Sequence, residues 1–319
     1  MPELFLTIFF ISILLFFLST GVWVAISMIS VSAIGMMLFT SRPVGDAMAT
    51  TIWGTASSWT LTALPLFVWM GEILFRTKLS KNLFEGLSPW MQKLPGGLIH
   101  VNVVGCALFA AISGSSAATV ATVGKMSIPE LRKRKYPEKI LLGSLAGSGT
   151  LGLLIPPSII LIIYGVTVQE SIAKLFIAGI LPGIMIAAIF MLYVVFWSLL
   201  NKKVMPKSFE NFSFFQKIKK SKQLLPVIIL ISAVIGSIYT GIATATEAAS
   251  LGVVGALILS YFQKSLTVET FKKSLLGATK TSCMIAFILA GSTFLSLAMG
   301  FTGLPRNLAI WIQNMDLSP

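Results

Sequence analysis

The stretch Pro95–Pro129, PGGLIHVNVVGCALFAAISGSSAATVATVGKMSIP, decides how the rest of the chain is read. Its middle, Ser113-Gly114-Ser115-Ser116, interrupts an otherwise apolar run. The uncharged part, Leu94 to Gly124, is about 31 residues, so as one helix it would be ~46 Å long. A bilayer core is ~30 Å thick and needs only ~20 apolar residues. The run is therefore too long for one comfortable span and too short for two. Both flanks are basic, with Arg76, Lys78, Lys81 and Lys93 before it and Lys125 and Arg132 to Lys135 after it. Lys and Arg in short loops favour the cytoplasmic side. A re-entrant hairpin over 95–125, entering, turning at the SGSS tetrapeptide and returning, satisfies both constraints.

Such a turn leaves backbone groups without helical partners at membrane depth, which is tolerated only against protein or a polar cavity. Ser115 and Ser116 are suited to cap the returning half-helix, whose free N–H groups favour an anion. Unpaired carbonyls nearby suit a hard cation such as sodium. The same small residues can equally be read as a patch for close helix packing.

Composition sets the class. The 319 residues are 55% hydrophobic and only 11% charged, with a mean hydropathy of +0.89. This is an all-α polytopic membrane protein, since only helices or closed barrels cross lipid and no alternating ten-residue strands occur. The net charge of +13 sits in short loops between apolar runs, which is the positive-inside pattern and excludes nucleic acid as a partner. Cys106 and Cys283 are isolated, so neither a disulfide framework nor a cysteine metal site is expected. The N-terminus lacks the basic region of a signal peptide and reads as a span.

Spans are expected over 4–20, 22–41 and 47–72, followed by the hairpin, a broken helix over 140–168 and a connecting span over 175–200. The break lies in GSLAGSGTLGLLIPPSIILIIYG, where Pro156 and Pro157 interrupt the helix and Pro156-Pro157-Ser158 is expected to start a second half-helix. Residues 202–222 form a basic, partly amphipathic loop on the cytoplasmic surface. Further spans follow over 224–241, 244–262 and 281–304. Glu247 reads as a helix first-turn carboxylate capped by Thr246, with a coupling-ion role as the alternative. With the basic loops inside, both chain ends and the Arg42–Asp46 loop fall outside.

Internal echoes add an architecture. Gly21, Ala25, Ser30 and Gly35 match Gly241, Ala245, Ser250 and Gly255 at identical spacings. Thr77, Leu79, Lys81-Asn82-Leu83 and Leu87-Ser88-Pro89 are echoed by Thr302, Leu304, Arg306-Asn307-Leu308 and Leu317-Ser318-Pro319. The two copies begin on opposite sides, so residues 1–201 read as a first repeat and 223–319 as an incomplete, inverted second one, a layout of many secondary transporters. The second copy stops where its own hairpin should begin, and a C-terminal truncation is expected.

The motifs ALPLFVWMGEIL (63–74), AISGSSAATVATVG (111–124), GTLGLLIPPSIILIIYG (149–165) and GIATATEAAS (241–250) closely resemble the large membrane subunit of the tripartite ATP-independent periplasmic (TRAP) transporters. The resemblance implies an inner-membrane, sodium-driven permease importing small organic anions such as dicarboxylates. It would work with a small membrane subunit and a periplasmic substrate-binding protein. It further implies that Ser113, Ser116, Gly152, Ile155 and Pro157 supply mainly backbone carbonyls to one sodium, with Ser115, Ser116 and Ser158 near the substrate. The family's second sodium site lies in motifs this sequence lacks. A related divalent-anion symporter acting without a binding protein is the nearest alternative, and a channel or scaffold is a further one. An intramembrane serine hydrolase built on Ser115 or Ser116 would need a general base, and the sole histidine, His100, lies about thirteen residues earlier on the entering leg.

Overall fold

A computed structural model of the protein describes residues 2–76, 79–206, 212–222 and 224–313. Thr77 and Leu317-Ser318-Pro319, which carry part of the second echo, lie outside the described residues.

The described chain is helical throughout and contains no strand among the described residues. It opens with α1 (Pro2–Ser19) and α2 (Val24–Phe39), then α3 (Val44–Ala56), a 3-10 turn at Trp59–Thr62 and α4 (Ala63–Phe75). The expected single span over 47–72 is therefore two helices separated at Ser57-Ser58. Next come α5 (Leu79–Met91), α6 (Ile99–Ser113), α7 (Ser116–Lys133) and α8 (Glu138–Gly149). A 3-10 turn at Thr150–Leu153 leads to α9 (Ile159–Val168) and α10 (Ile172–Leu200). The remainder comprises α11 (Phe214–Ser221), α12 (Leu225–Tyr239), α13 (Ala245–Phe262), α14 (Val268–Phe301) and α15 (Leu304–Gln313).

Two boundaries differ from expectation for a common reason. α7 continues past Lys125 to Lys133, and α14 starts at Val268 rather than Thr281. Lysine and arginine are good helix formers, so a basic stretch marks the end of the lipid-facing segment without ending the helix. By length and composition α10, α13 and α14 are each apolar and long enough to cross a bilayer, and α1, α2, α6 and α9 are shorter apolar helices. The protein is a multi-pass membrane protein.

The helices form two compact units, residues 60–280 and residues 1–59 with 281–319. In the split unit, Phe10, Val31 and Leu304 form one core cluster, and Met36, Phe294 and Ala298 another. Gly35 admits the Phe10 ring, since a Cβ there would lie 2.5 Å from its tip. The guanidinium of Arg42 lies 4.2 Å over the Phe301 ring, a cation–π contact.

The larger unit is built on α4 packed along α13, with the α6–α7 hairpin against α8 and α10 beyond. Gly252 lets α13 reach Met70, where a Cβ would stand 2.5 Å from its sulfur. Asn102 ties the hairpin to α8, its amide donating to the Leu141 carbonyl at 3.3 Å and to Ser144 Oγ at 3.0 Å. The echoed glycines Gly21 and Gly241 have φ of +79° and +71°, each closing the turn before α2 and α13.

Candidate transport site

The SGSS stretch turns because of its second residue. Gly114 ends α6 in the left-handed region, φ +58°, where a side chain costs roughly 1–2 kcal/mol. Ser115, extended at φ −125°, is the N-cap of α7, and its hydroxyl accepts from the Ala118 N–H at 3.4 Å. Ser116 is the first residue of α7. The turn is braced from within by Thr119, whose hydroxyl lies 3.0 Å from Ser113 Oγ and donates to the Ser115 carbonyl at 2.7 Å. Thr119 and Ser113 are both buried. Thr119 is a part of the turn signalled in the sequence only by its place four residues after Ser115.

The break in the second element has a matching form. α8 ends at Gly149, tightens into the 3-10 turn, and resumes at Ile159 with Ser158 at the N-cap. The Pro156–Pro157 peptide bond is cis. Ser158 is fully buried and its hydroxyl donates to the Leu153 carbonyl at 2.7 Å. That hydroxyl closes the break upon itself, so the structure commits it to the protein and not to an open surface.

The two irregular segments lie against each other. The Ile159 N–H donates to the Gly114 carbonyl at 3.2 Å. A Cβ on Gly114 would fall 2.7 Å from the Pro157 carbonyl oxygen, and one on Gly152 would fall 3.0 Å from the Ser115 carbon and the Ser116 nitrogen. On the opposite side Gly71 of α4 meets the turn, where a Cβ would lie 2.9 Å from Ser113 Cα. Contacts under 3.0 Å essentially never occur for real side chains and those at 3.0 Å are rare, so backbone-to-backbone packing favours glycine at these positions. In α10, Gly179 plays the same part for the break, facing the Leu154 carbonyl, while Gly183 admits the Ile155 side chain.

The sequence-assigned residues Ser113, Ser115, Ser116, Gly152, Pro157 and Ser158 are thus brought into one region, with Ile155 held on its α10 side. Among the described residues, no hydrogen bond ends on the carbonyl oxygens of Ser113, Gly152, Ile155 or Pro157. The Ser116 hydroxyl is buried and likewise has no partner. Each unpaired oxygen in an apolar setting is costly unless a cation or water meets it. The site has the neutral oxygen donors a sodium ion prefers and no group of three or more His, Cys, Asp or Glu among the described residues.

Two other sequence candidates are explained locally. Glu247 accepts from the Thr244 N–H and hydroxyl, each at 2.8 Å, completing a capping box whose N-cap is Thr244 and not Thr246. His100 is fully buried with Nε2 2.8 Å from the Pro95 carbonyl. It lies at the far end of α6 from the turn, some 20 Å along the helix, and gives Ser115 no base.

The family described as "Tripartite ATP-independent periplasmic transporter, DctM component" matches residues 11–319. The chain is 32% identical to a C4-dicarboxylate TRAP transporter large permease protein DctM of Pseudomonas aeruginosa, over 90% of this chain and 66% of that protein. It is 33% identical to the 2,3-diketo-L-gulonate TRAP transporter large permease protein YiaN of Escherichia coli, over 85% of this chain and 64% of that one. It is also 31% identical to an isethionate TRAP transporter permease protein DctMQ of Oleidesulfovibrio alaskensis, over 92% of this chain and 46% of its relative. The chain therefore spans less than two thirds of the length of each of these three relatives.

Proposed function

The chain belongs to the DctM component family of the tripartite ATP-independent periplasmic transporters, and from that premise we propose that it forms the permease subunit of a sodium-coupled importer of small organic anions. It is an inner-membrane transport protein and not an enzyme. The relatives are named for C4-dicarboxylates, 2,3-diketo-L-gulonate and isethionate, which share a negative charge on a small polar body. That common chemistry supports an organic anion as the class of substrate.

The observation that carries the reading is the backbone-to-backbone seating of Gly114 on Pro157 and of Gly152 on Ser115–Ser116. It brings the turn and the break into contact, and the carbonyls of Ser113, Gly152, Ile155 and Pro157 in these segments, like the Ser116 hydroxyl, have no hydrogen-bond partner among the described residues, which supports the reading. In the proposed cycle these neutral oxygens take up sodium, while the first-turn N–H groups of α7 face the substrate anion. Ser115 and Ser116 stand at that helix start, whereas Ser158 would have to be uncovered to contribute. Sodium binding fixes the relative position of the turn and the break, which is how ion occupancy is coupled to substrate affinity.

A periplasmic substrate-binding protein and a small membrane subunit are the partners this reading requires. One of the similar proteins is itself named a DctMQ permease. The test is uptake of radiolabelled succinate, and of other small anions, into proteoliposomes holding the chain with both partners, at varied sodium. Sodium-dependent uptake that Gly152→Val abolishes is the expected result. Uptake of the same anion indifferent to sodium would reduce the site to a packing feature.

A further inference from the structure

We infer that α11 is an anionic-lipid anchor, a short interfacial helix whose phenylalanines enter the bilayer surface while its lysines bind acidic phospholipid headgroups. The transport reading does not need this helix, and it uses none of the site residues described above.

α11 is firmly placed. Its start is capped by Ser213, whose N–H donates to Gln216 Oε1 at 3.1 Å. One side of it is seated on α5. Trp90 Nε1 donates to Ser221 Oγ at 2.7 Å, and that hydroxyl donates on to the Gly86 carbonyl at 3.4 Å. Lys217 Nζ stands 5.2 Å above the Trp90 ring, and Phe214 meets the same ring edge-on at 6.3 Å. Residues 214, 217 and 221 share that side by helical spacing.

The next side is bare, with Phe214 at its boundary, touching Trp90 by its edge only. Phe214 is 68% exposed, Phe215 76% and Ile218 39%, and at positions i, i+1 and i+4 they form one stripe. Lys217 flanks it on one edge and Lys219 on the other, with Lys220 and Lys222 at the end of the helix. None of these four lysines has a carboxylate partner among the described residues.

Three occupants are conceivable, and the chain itself favours one. Water would hydrate the lysines but gain nothing from two exposed phenylalanine rings. A protein partner would have to supply both an apolar groove and several acidic groups in register. An anionic bilayer surface supplies both at the right depths, acyl chains below and phosphates at headgroup level. Distance supports it too. Only three residues separate Ser221 from α12, an apolar helix that reads as a span, so the end of α11 lies within about 14 Å of the start of that span.

The experiment uses the full chain in nanodiscs, with the exposed Cys283 changed to serine and an NBD fluorophore on Phe215→Cys; Cys106 is buried. Phosphatidylglycerol and phosphatidylcholine, each carrying a headgroup-region spin label, are compared as quenchers at equal mole fraction. Spin-labelled phosphatidylglycerol should quench more strongly. Each lysine is worth about fivefold in local preference for acidic lipid, so Lys219→Gln with Lys222→Gln should bring the two quenchers close together. High salt should do the same. The proposal is overturned if neither lipid quenches. It is also overturned if both quench equally before the lysines are neutralised, or if quenching disappears when the small membrane subunit is bound, which would mark the face as a protein interface.

Discussion

The Ile159 amide donates to the carbonyl of Gly114 at 3.2 Å, across 45 residues of sequence. This single bond joins the turn of the hairpin to the first residue of the second half of the broken helix. Each of the two irregular segments thereby satisfies part of the other's backbone, which neither could do in lipid by itself.

Gly114→Val should therefore be among the most damaging single changes in the chain. It meets two penalties, a φ of +58° and a Cβ 2.7 Å from the Pro157 carbonyl, together about 2–5 kcal/mol. Gly143→Ala is the control, because nothing lies within 4 Å of the added carbon and alanine suits a helix interior. Thermal unfolding in detergent should show a large loss for the first and none for the second.

Ser116→Ala and Ser115→Ala should separate ion binding from capping. The Ser116 hydroxyl is buried without a partner, so its loss should leave the sodium-free melting temperature unchanged or slightly raised. The rise in melting temperature on adding sodium should shrink. Ser115→Ala removes a long N-cap bond of 3.4 Å and should cost about 0.5–1 kcal/mol, with the sodium-induced rise retained. Equal sodium response in Ser116→Ala and the parent would take that hydroxyl out of the site.

Glu247→Gln should keep sodium-driven uptake. Its carboxylate is held in the Thr244 capping box, a structural duty and not a transport one. Thr244→Ala removes the N-cap and should lower stability by about 0.5–2 kcal/mol. Loss of sodium dependence in Glu247→Gln at normal expression would restore the coupling role to this residue.

Tyr136, between α7 and α8, should give the protein an alkaline limit. Its hydroxyl accepts from the Leu98 N–H at 3.1 Å, and burial raises its pKa above the ordinary 10.0, the bond from Leu98 opposing only part of that shift. The folded state keeps the proton that the unfolded chain releases. The contribution is complete below pH 10 and is lost as pH rises through the folded value. Tyr136→Phe should flatten that alkaline limb. It should also cost about 1–3 kcal/mol at neutral pH by stranding the Leu98 N–H. Unfolding measured from pH 8 to 11 distinguishes the two effects.

Helix content and the placing of irregular backbone were legible in the residues. An apolar run too long for one span, with basic ends, could only turn, and Gly114 with Ser115 supplied the turn and the cap. The double proline and the glycines before it likewise determined the break over 150–158. These are local matters, decided by φ preferences, missing N–H donors and the lack of water in lipid. The interruption at Ser57-Ser58 is not legible in the residues because small polar residues are as much at home inside membrane helices as at their ends. The helical content of the basic stretches is not legible either, because charge reports where lipid stops, not where a helix does.

The sequence by itself determined which backbone groups would be left unpaired. Only the tertiary structure decided what stands opposite them. That Gly71 meets Ser113, that Gly152 meets Ser116, and that Ile159 reaches Gly114 depends on α4, the hairpin and α10 packing at once. A glycine carries no side chain to announce its neighbour, so a close approach between backbones leaves no pattern in one chain's spacing. The same holds for Trp90 and Ser221, separated by 131 residues and joined by a 2.7 Å bond. The amphipathic stripe of α11 could be read from its residues, but which side of it α5 would cover, and which would stay bare, was settled by the fold.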